Sequence, residues 1–113
     1  MHKAIKLAIG ATVISVAAHA QAIQSPAEGD FMSAMQNMHQ SMMKANDRDA
    51  DRAFALKMIE HHRGGIAMSE VLMKHGDDAE LKGMAQKTAD MQRKEIAELQ
   101  AWLDRHGGRT SRR

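Results

Sequence analysis

The sequence predicts an all-α protein in which three antiparallel helices form a bundle. Apolar residues recur at helical spacing in three segments, no segment alternates like a strand, and no proline follows Pro26. Breaks rich in Asp or Gly, near residues 46, 76 and 107, separate the segments. Three helices of this size leave an apolar side uncovered, so we expect a homodimer to complete the bundle.

Residues 1–22 have the pattern of a secretory signal peptide. Lys3 and Lys6 precede the apolar run Leu7–Ala18, which is shorter than a membrane span. Small residues then offer cleavage sites after Ala20 or Ala22. We therefore expect a periplasmic or otherwise exported protein with no stable membrane insertion after cleavage; the alternative is an uncleaved anchor.

The helical domain is predicted over residues 26–107, followed by a disordered basic tail over residues 108–113. Helix one begins at Pro26, since Ser25 and Glu28 have capping-box spacing and proline suits the first helical position. It extends to about Ala45. Its apolar arc of about 140° contains no Leu, Ile or Val. That arc consists of Phe31, Met32, Met35, Met38, His39, Met42 and Met43.

Helix two is predicted over Ala50–Lys74, after an Asp-rich turn. It ends before Gly76, because glycine can adopt the left-handed conformation that closes many helices. Gly64 and Gly65 lie in mid-helix, where each costs about 1 kcal/mol relative to alanine. A close helix approach or a local kink beside them is the expected compensation.

Two adjacent histidines lie on the apolar side of helix two. At about 100° per residue, His62 falls in the middle of the buried face and His61 at its edge, toward Met68. Met58 precedes both by one turn. The wheel puts Phe54 and Leu72 on the same apolar face.

Helix three is predicted from Asp77 or Asp78 to a glycine stop at residues 107–108. Its core line is Leu81, Ala85, Ile96, Leu99 and Leu103. Glu95 intrudes near the centre of this line, where a buried carboxylate needs a partner. A histidine of helix two or an arginine could provide one.

Composition and charge exclude several classes of function. The chain has 16 Lys and Arg against 14 Asp and Glu, and removal of Lys3 and Lys6 leaves 14 against 14, a net charge of zero. A nucleic-acid-binding protein would show a basic surface, so we predict no nucleic-acid partner. Enzymes with a di-iron or zinc-protease centre are not indicated, because Glu-x-x-His and His-Glu-x-x-His are both absent.

Methionine is the most informative residue type. The chain has eleven methionines and no cysteine. Thioether sulfur and imidazole are soft or intermediate ligands that persist in an oxidising compartment and favour Cu(I) over hard cations. The alternative is that the methionines only fill a core. The candidate metal ligands are Met35, Met38, His39, Met42, Met58, His61, His62 and Met68.

Four short motifs resemble the family catalogued as domain of unknown function 305, over about Asp30 to Gly107. They are Met38-His39-x-x-Met42, Phe54-x-x-x-Met58-Ile59-x-His61-His62-x-Gly64-x-Ile66-x-Met68, Gln92-x-x-Glu95-Ile96 and Trp102-Leu103. The family more often has alanine at the position of Gly65. The resemblance implies a ferritin-like helical bundle, often exported. It also implies similarity to periplasmic copper-binding proteins of the CopM type, which are associated with copper resistance.

The sequence therefore favours an exported protein that binds copper, with Cu(I) preferred over Cu(II), through Met and His. We expect it to sequester copper or to exchange it with a donor or acceptor protein, without catalysis. The competing hypothesis is a periplasmic stress or interaction module whose methionine-rich face binds partner proteins.

Overall fold

The computed structural model describes residues 25–107, and within this range the chain forms three α-helices and no strand. They are α1 (Pro26–Lys44), α2 (Ala50–His75) and α3 (Ala79–Arg105). Each begins and ends within two residues of its predicted position, so the all-α, three-helix prediction is confirmed. The predicted signal peptide and basic tail lie outside the described residues. None of the described helices is long and apolar enough to cross a membrane.

Each helix begins at a side-chain cap. The Ser25 hydroxyl accepts a hydrogen bond from the Glu28 N–H at 3.2 Å, as the capping-box spacing predicted. Asp49 accepts from the Arg52 N–H, and Asp78 accepts from the Leu81 N–H. These bonds satisfy backbone donors that the first turn of a helix leaves free.

The predicted glycine stops are wrong in detail. Gly76 is the C-cap of α2 but has φ −78° and ψ 153°, and no described glycine has a positive φ. A Cβ there would lie 2.6 Å from Leu72 Cδ1, so close approach rather than a left-handed conformation accounts for this glycine. Helix α3 ends at the C-cap His106, whose Nδ1 lies 2.8 Å from the Trp102 carbonyl oxygen and whose ring stacks on that indole.

Helix α2 lies between the other two helices. Both α1 and α3 pack on α2, but no Cα of α1 comes within 8 Å of a Cα of α3. Neighbouring helices run antiparallel: Asp30, near the start of α1, pairs with His75 at the end of α2. Likewise Arg52, near the start of α2, donates to the carbonyl oxygens of Leu103 and His106 at the end of α3.

The contacts of α2 with its two neighbours lie on opposite sides of its axis. Lys57, Gly64 and His75 face α1. The side toward α3 is a stripe with alternating steps of four and three residues, the spacing of a helix-packing seam. This stripe is Ala55, Ile59, His62, Ile66 and Ser69. The three helices consequently form one layer with two open faces.

The core of this layer is small. Its buried apolar residues are Ala34, Ala55, Ile59, Ala85, Ala89 and Leu103. Two residues predicted to be buried are exposed instead: Phe54 is 62% exposed and Leu81 48%. Both point to an open face, because no fourth element covers the layer within residues 25–107.

The two mid-helix glycines permit close packing on both sides of α2, as predicted. A Cβ on Gly64 would lie 2.6 Å from the Met38 Cβ of α1, and a Cβ on Gly65 would lie 2.7 Å from the Gln92 Nε2 of α3. Either distance is shorter than any normal contact. The Cβ of Met38 is bonded to the helix backbone and cannot rotate away. The amide group of Gln92 is the flexible end of its side chain.

The pairing of Asp30 with His75 predicts an acid-sensitive contribution to stability. The hydrogen bond between Asp30 Oδ2 and His75 Nε2 (2.7 Å), aided by Lys74, lowers the pKa of Asp30 below its ordinary value of 3.8. A carboxyl group with a lowered pKa stabilises the fold at pH values above its ordinary pKa. This contribution is lost as the pH falls through the folded-state pKa. The difference in unfolding free energy between the parent and Asp30→Asn should therefore shrink below pH 3.8. Urea denaturation at several pH values tests this, with Asp77→Asn as the exposed control; a pH-independent difference would contradict it.

Candidate metal site

The two open faces of the layer differ in chemistry. One has a groove in which Lys44, Glu60 and Arg63 surround Leu56. We call this side the charged face. The other has a groove between α2 and α3 in which Phe54, Met58 and Trp102 lie beside Glu95, Glu98 and Arg105.

The second face carries most of the methionines, and we call it the methionine face. On α1, Ser41 and Lys44 lie on the charged side, so Met35 and Met42, one heptad apart on the other side of the helix, belong to the methionine face. Positions seven residues apart share one side of a helix in the same way on α2 and α3. The methionine face comprises Met32, Met35, His39, Met42, Phe54, Met58, His61, Met68, Leu72, Leu81, Met84, Met91 and Trp102.

Four of the seven methionines of this face are at least half exposed, and Met42, Met58 and Met68 are partly buried. Met32, Met35, Met84 and Met91 are each between 50% and 57% exposed. Burial of apolar surface contributes roughly 25 cal/mol per Å² to stability, and an exposed apolar side chain does not make this contribution. An exposed apolar patch therefore needs a ligand or a partner to account for it.

Four predicted ligands lie along the boundary between α1 and α2: Met35, Met42, Met68 and His61. Lys57 Nζ donates to the Met42 carbonyl oxygen at 3.0 Å, which fixes Met42 one turn before His61. One turn after His61, Met38 packs on Gly64. Met35 precedes Met38 by one turn and so stands level with Met68. Helical register therefore places these three thioethers and the exposed imidazole of His61 along the boundary of α1 and α2, with Met38 half-buried between the helices. Met35 and Met38 also line a groove on α1 together with Met32 and His39.

Two predicted ligands lie on the other side of α2. Met58 and His62 line the groove toward α3. His62 is only 8% exposed, and its Nε2 bonds to Oε2 of Glu95, which confirms a histidine of helix two as the partner of that carboxylate. The Nδ1 atom of His62 is buried without a hydrogen-bond partner. His39 is exposed at the outer edge of α1.

The predicted methionine arc of helix one does not pack against α2 as a whole. Ala34, Met38 and Phe31 turn toward α2, whereas Met32 and Met43 are exposed. Small residues on the contacting side bring the two backbones close together. The longer side chains are therefore displaced to the methionine face and to the outer edge of the layer.

The residues available for a metal are mainly thioethers. Among residues 25–107, no three His, Asp or Glu side chains are grouped in a way that could hold a metal ion. The sequence prediction did not place Met84 and Met91 of α3 on the methionine face. Their separation of seven residues, which puts them on one side of the helix, was the pattern that could have indicated it.

A comparison with known families agrees with the motifs in the sequence. The family model described as "Domain of unknown function (DUF305)" matches residues 3–103. No curated protein matches the chain. The match covers most of the chain, including all of α1 and α2 and nearly all of α3. The chain belongs to the DUF305 family.

Proposed function

We propose that this is an exported copper-binding protein that sequesters or delivers Cu(I) and so contributes to copper tolerance. The observation that carries the proposal is the methionine face, on which thioethers of α1 and α2 lie on the same side of the layer as the exposed imidazole of His61. Periplasmic export and the similarity to CopM-type proteins belong to the same proposal.

The donor chemistry supports Cu(I) in particular. A thioether is uncharged and soft, so it binds Cu(I) well and competes poorly for Mg²⁺ or Ca²⁺, which prefer oxygen. Leucine has the same helix propensity and a better-defined packing shape than methionine. An exposed face that uses methionine in preference to leucine is accounted for if its sulfur atoms have a function.

The boundary between α1 and α2 is the primary candidate site. It offers Met35, Met42 and Met68 together with His61, all on two helices whose separation is fixed by the contact of Met38 with Gly64. Methionine has three rotatable bonds, so side-chain rotation can bring sulfur atoms from neighbouring turns toward an ion.

His62 offers a second arrangement. Metal-binding histidines commonly hold their other ring nitrogen in a hydrogen bond to a carboxylate, which orients the ring. The bond to Glu95 occupies Nε2 and leaves Nδ1 as the atom that could bind a metal. With Met58 in the same groove, this histidine would form a smaller, buried site.

Replacing the thioethers at the α1–α2 boundary by leucine tests the proposal. In a competition titration against a Cu(I) chelator, Met35→Leu/Met42→Leu/Met68→Leu should bind Cu(I) about 100-fold more weakly than the parent, equivalent to about 2.8 kcal/mol. Circular dichroism should show unchanged helicity, because methionine-to-leucine changes usually cost less than about 1.5 kcal/mol.

Met43→Leu/Met73→Leu is the matched control. Both side chains are exposed, at 64% and 41%, but neither belongs to the methionine face. This control should bind Cu(I) like the parent. Equal affinity of the triple variant and the parent would contradict the proposal. If the parent itself did not bind copper, the methionine face would instead be assigned to binding partner proteins.

A further inference from the structure

Besides its contact with α1, helix α2 carries two packing seams, one covered by α3 and one left partly open by the helices of residues 25–107. The covered seam, which begins with Ala55, Ile59 and His62, packs against α3. The second runs through the methionine face with the same alternating steps of four and three residues. It consists of Phe54, Met58, His61, Gly65, Met68 and Leu72. Such spacing is the pattern by which one helix packs against another, so it indicates a helical occupant.

The single layer buries too little to account for this apolar pattern. Four of its six buried apolar residues are alanine, while Phe54, Met84 and Met91 are more than half exposed. Domains of fewer than about 100 residues bury a smaller fraction of their surface than larger domains do, even when globular. A layer one helix thick gains the missing burial only by stacking against another layer.

The outline of the layer is large enough to form one side of a stable dimer. Its longest helix has 27 residues, which corresponds to a length of about 40 Å at 1.5 Å per residue. Three axes spaced about 8–10 Å apart span roughly 20 Å. The product is roughly 800 Å², and specific interfaces bury about 800 Å² per partner.

We infer that the methionine face is the interface between two copies of this chain, which stack as two layers to form a six-helix bundle. Because α2 is the middle helix, a two-fold axis that superposes the two faces places α2 on its counterpart. The central stripe of each α2 contains no Asp, Glu, Lys or Arg. Helix α3 adds Glu98 and Arg105, of opposite charge, to the groove beside this stripe. The charged faces, which carry Lys44, Glu60 and Arg63, then form the two outer surfaces of the dimer.

The dimer rests on packing and does not require copper. It does give the proposed copper site a further property, because His61 and Met68 of the two copies would lie in one shared seam. Ligands from both chains would then be available to an ion in that seam. Failure of copper binding would leave the dimer intact, and a monomer that binds copper would refute the dimer alone.

The rate at which each methionine is oxidised tests the proposed dimer without any mutation. Brief oxidation by hydrogen peroxide, followed by peptide mass spectrometry, measures the rate of sulfoxide formation at each site. In the single chain, Met84 and Met91 are 57% and 56% exposed, nearly the same as Met43 at 64%. If the methionine face is covered by a second copy, Met84 and Met91 should be oxidised at least several-fold more slowly than Met43. Equal rates at the three sites would overturn the inference.

Sedimentation of the metal-free protein, expressed from its full coding sequence, gives the second readout. The parent should sediment as a dimer at micromolar concentration. Met84→Lys/Met91→Lys, which changes no proposed copper ligand, should raise the dimer dissociation constant at least tenfold, whereas Met43→Lys should leave it unchanged. A parent that remains monomeric at 100 µM, or a double variant that dimerises as tightly as the parent, would contradict the inference.

Discussion

Replacing Gly64 by alanine is expected to destabilise the protein by up to about 2 kcal/mol. The new methyl group would lie 2.6 Å from the Met38 Cβ, so helix α1 itself has to move away from α2. Overpacking of this kind costs about 1–3 kcal/mol, and the better helix propensity of alanine recovers about 1 kcal/mol. Urea denaturation at a fixed protein concentration measures the loss.

Gly65→Ala is the matched control, because the same change one residue away meets a different obstacle. Its methyl group would contact only the amide end of Gln92, which can rotate away. The gain in helix propensity then remains, and stability should be equal to that of the parent or higher by up to about 1 kcal/mol. If Gly64→Ala were as stable as Gly65→Ala, the close contact of α1 with α2 would be wrong.

Removal of the Glu95 carboxylate is also expected to destabilise the protein. Glu95→Ala leaves His62, which is 8% exposed, without its partner in the seam between α2 and α3. An unsatisfied buried donor costs about 1–3 kcal/mol. Because the Glu95 side chain is 43% exposed, water can replace part of the bond, and we expect a loss near 1 kcal/mol.

A double-mutant cycle separates this pairing from general effects of each substitution. Glu95→Ala, His62→Leu and the double variant should give a coupling free energy of about 1 kcal/mol, since residues in direct contact are not additive. The control pair is Glu80→Ala with His62→Leu, because Glu80 lies about four turns away from Glu95 on α3; it should be additive within about 0.5 kcal/mol. A coupling for Glu95 no larger than that of the control would show that the two side chains act independently.

The helices and their order could be predicted because their signals are local. Ser25 and Glu28 specify the first cap, and both Asp49 and Asp78 cap the helices that follow them. The burial of His62 beside an exposed His61 could also be predicted, because adjacent residues diverge by about 100° around a helix.

The sides on which α1 and α3 pack could not be predicted, because each helix has more than one apolar stripe. On α1, the side that contacts α2 includes Ala34 and Ser41, whereas the methionines that dominate the helical wheel are largely exposed. Small residues carry little weight in a hydrophobicity pattern, yet they determine how closely two helices approach. Because α1 packs on α2 through this side, the predicted ligands are divided between the α1–α2 boundary and the groove between α2 and α3.

The most direct test of the account is copper K-edge X-ray absorption on the Cu(I)-loaded protein, because it identifies the atoms bound to the metal. The account predicts a first shell that contains at least two sulfur atoms, necessarily thioethers in a chain without cysteine, and a nitrogen contribution that decreases in His61→Leu. A first shell of nitrogen and oxygen alone would contradict the central claim that the methionine face binds copper.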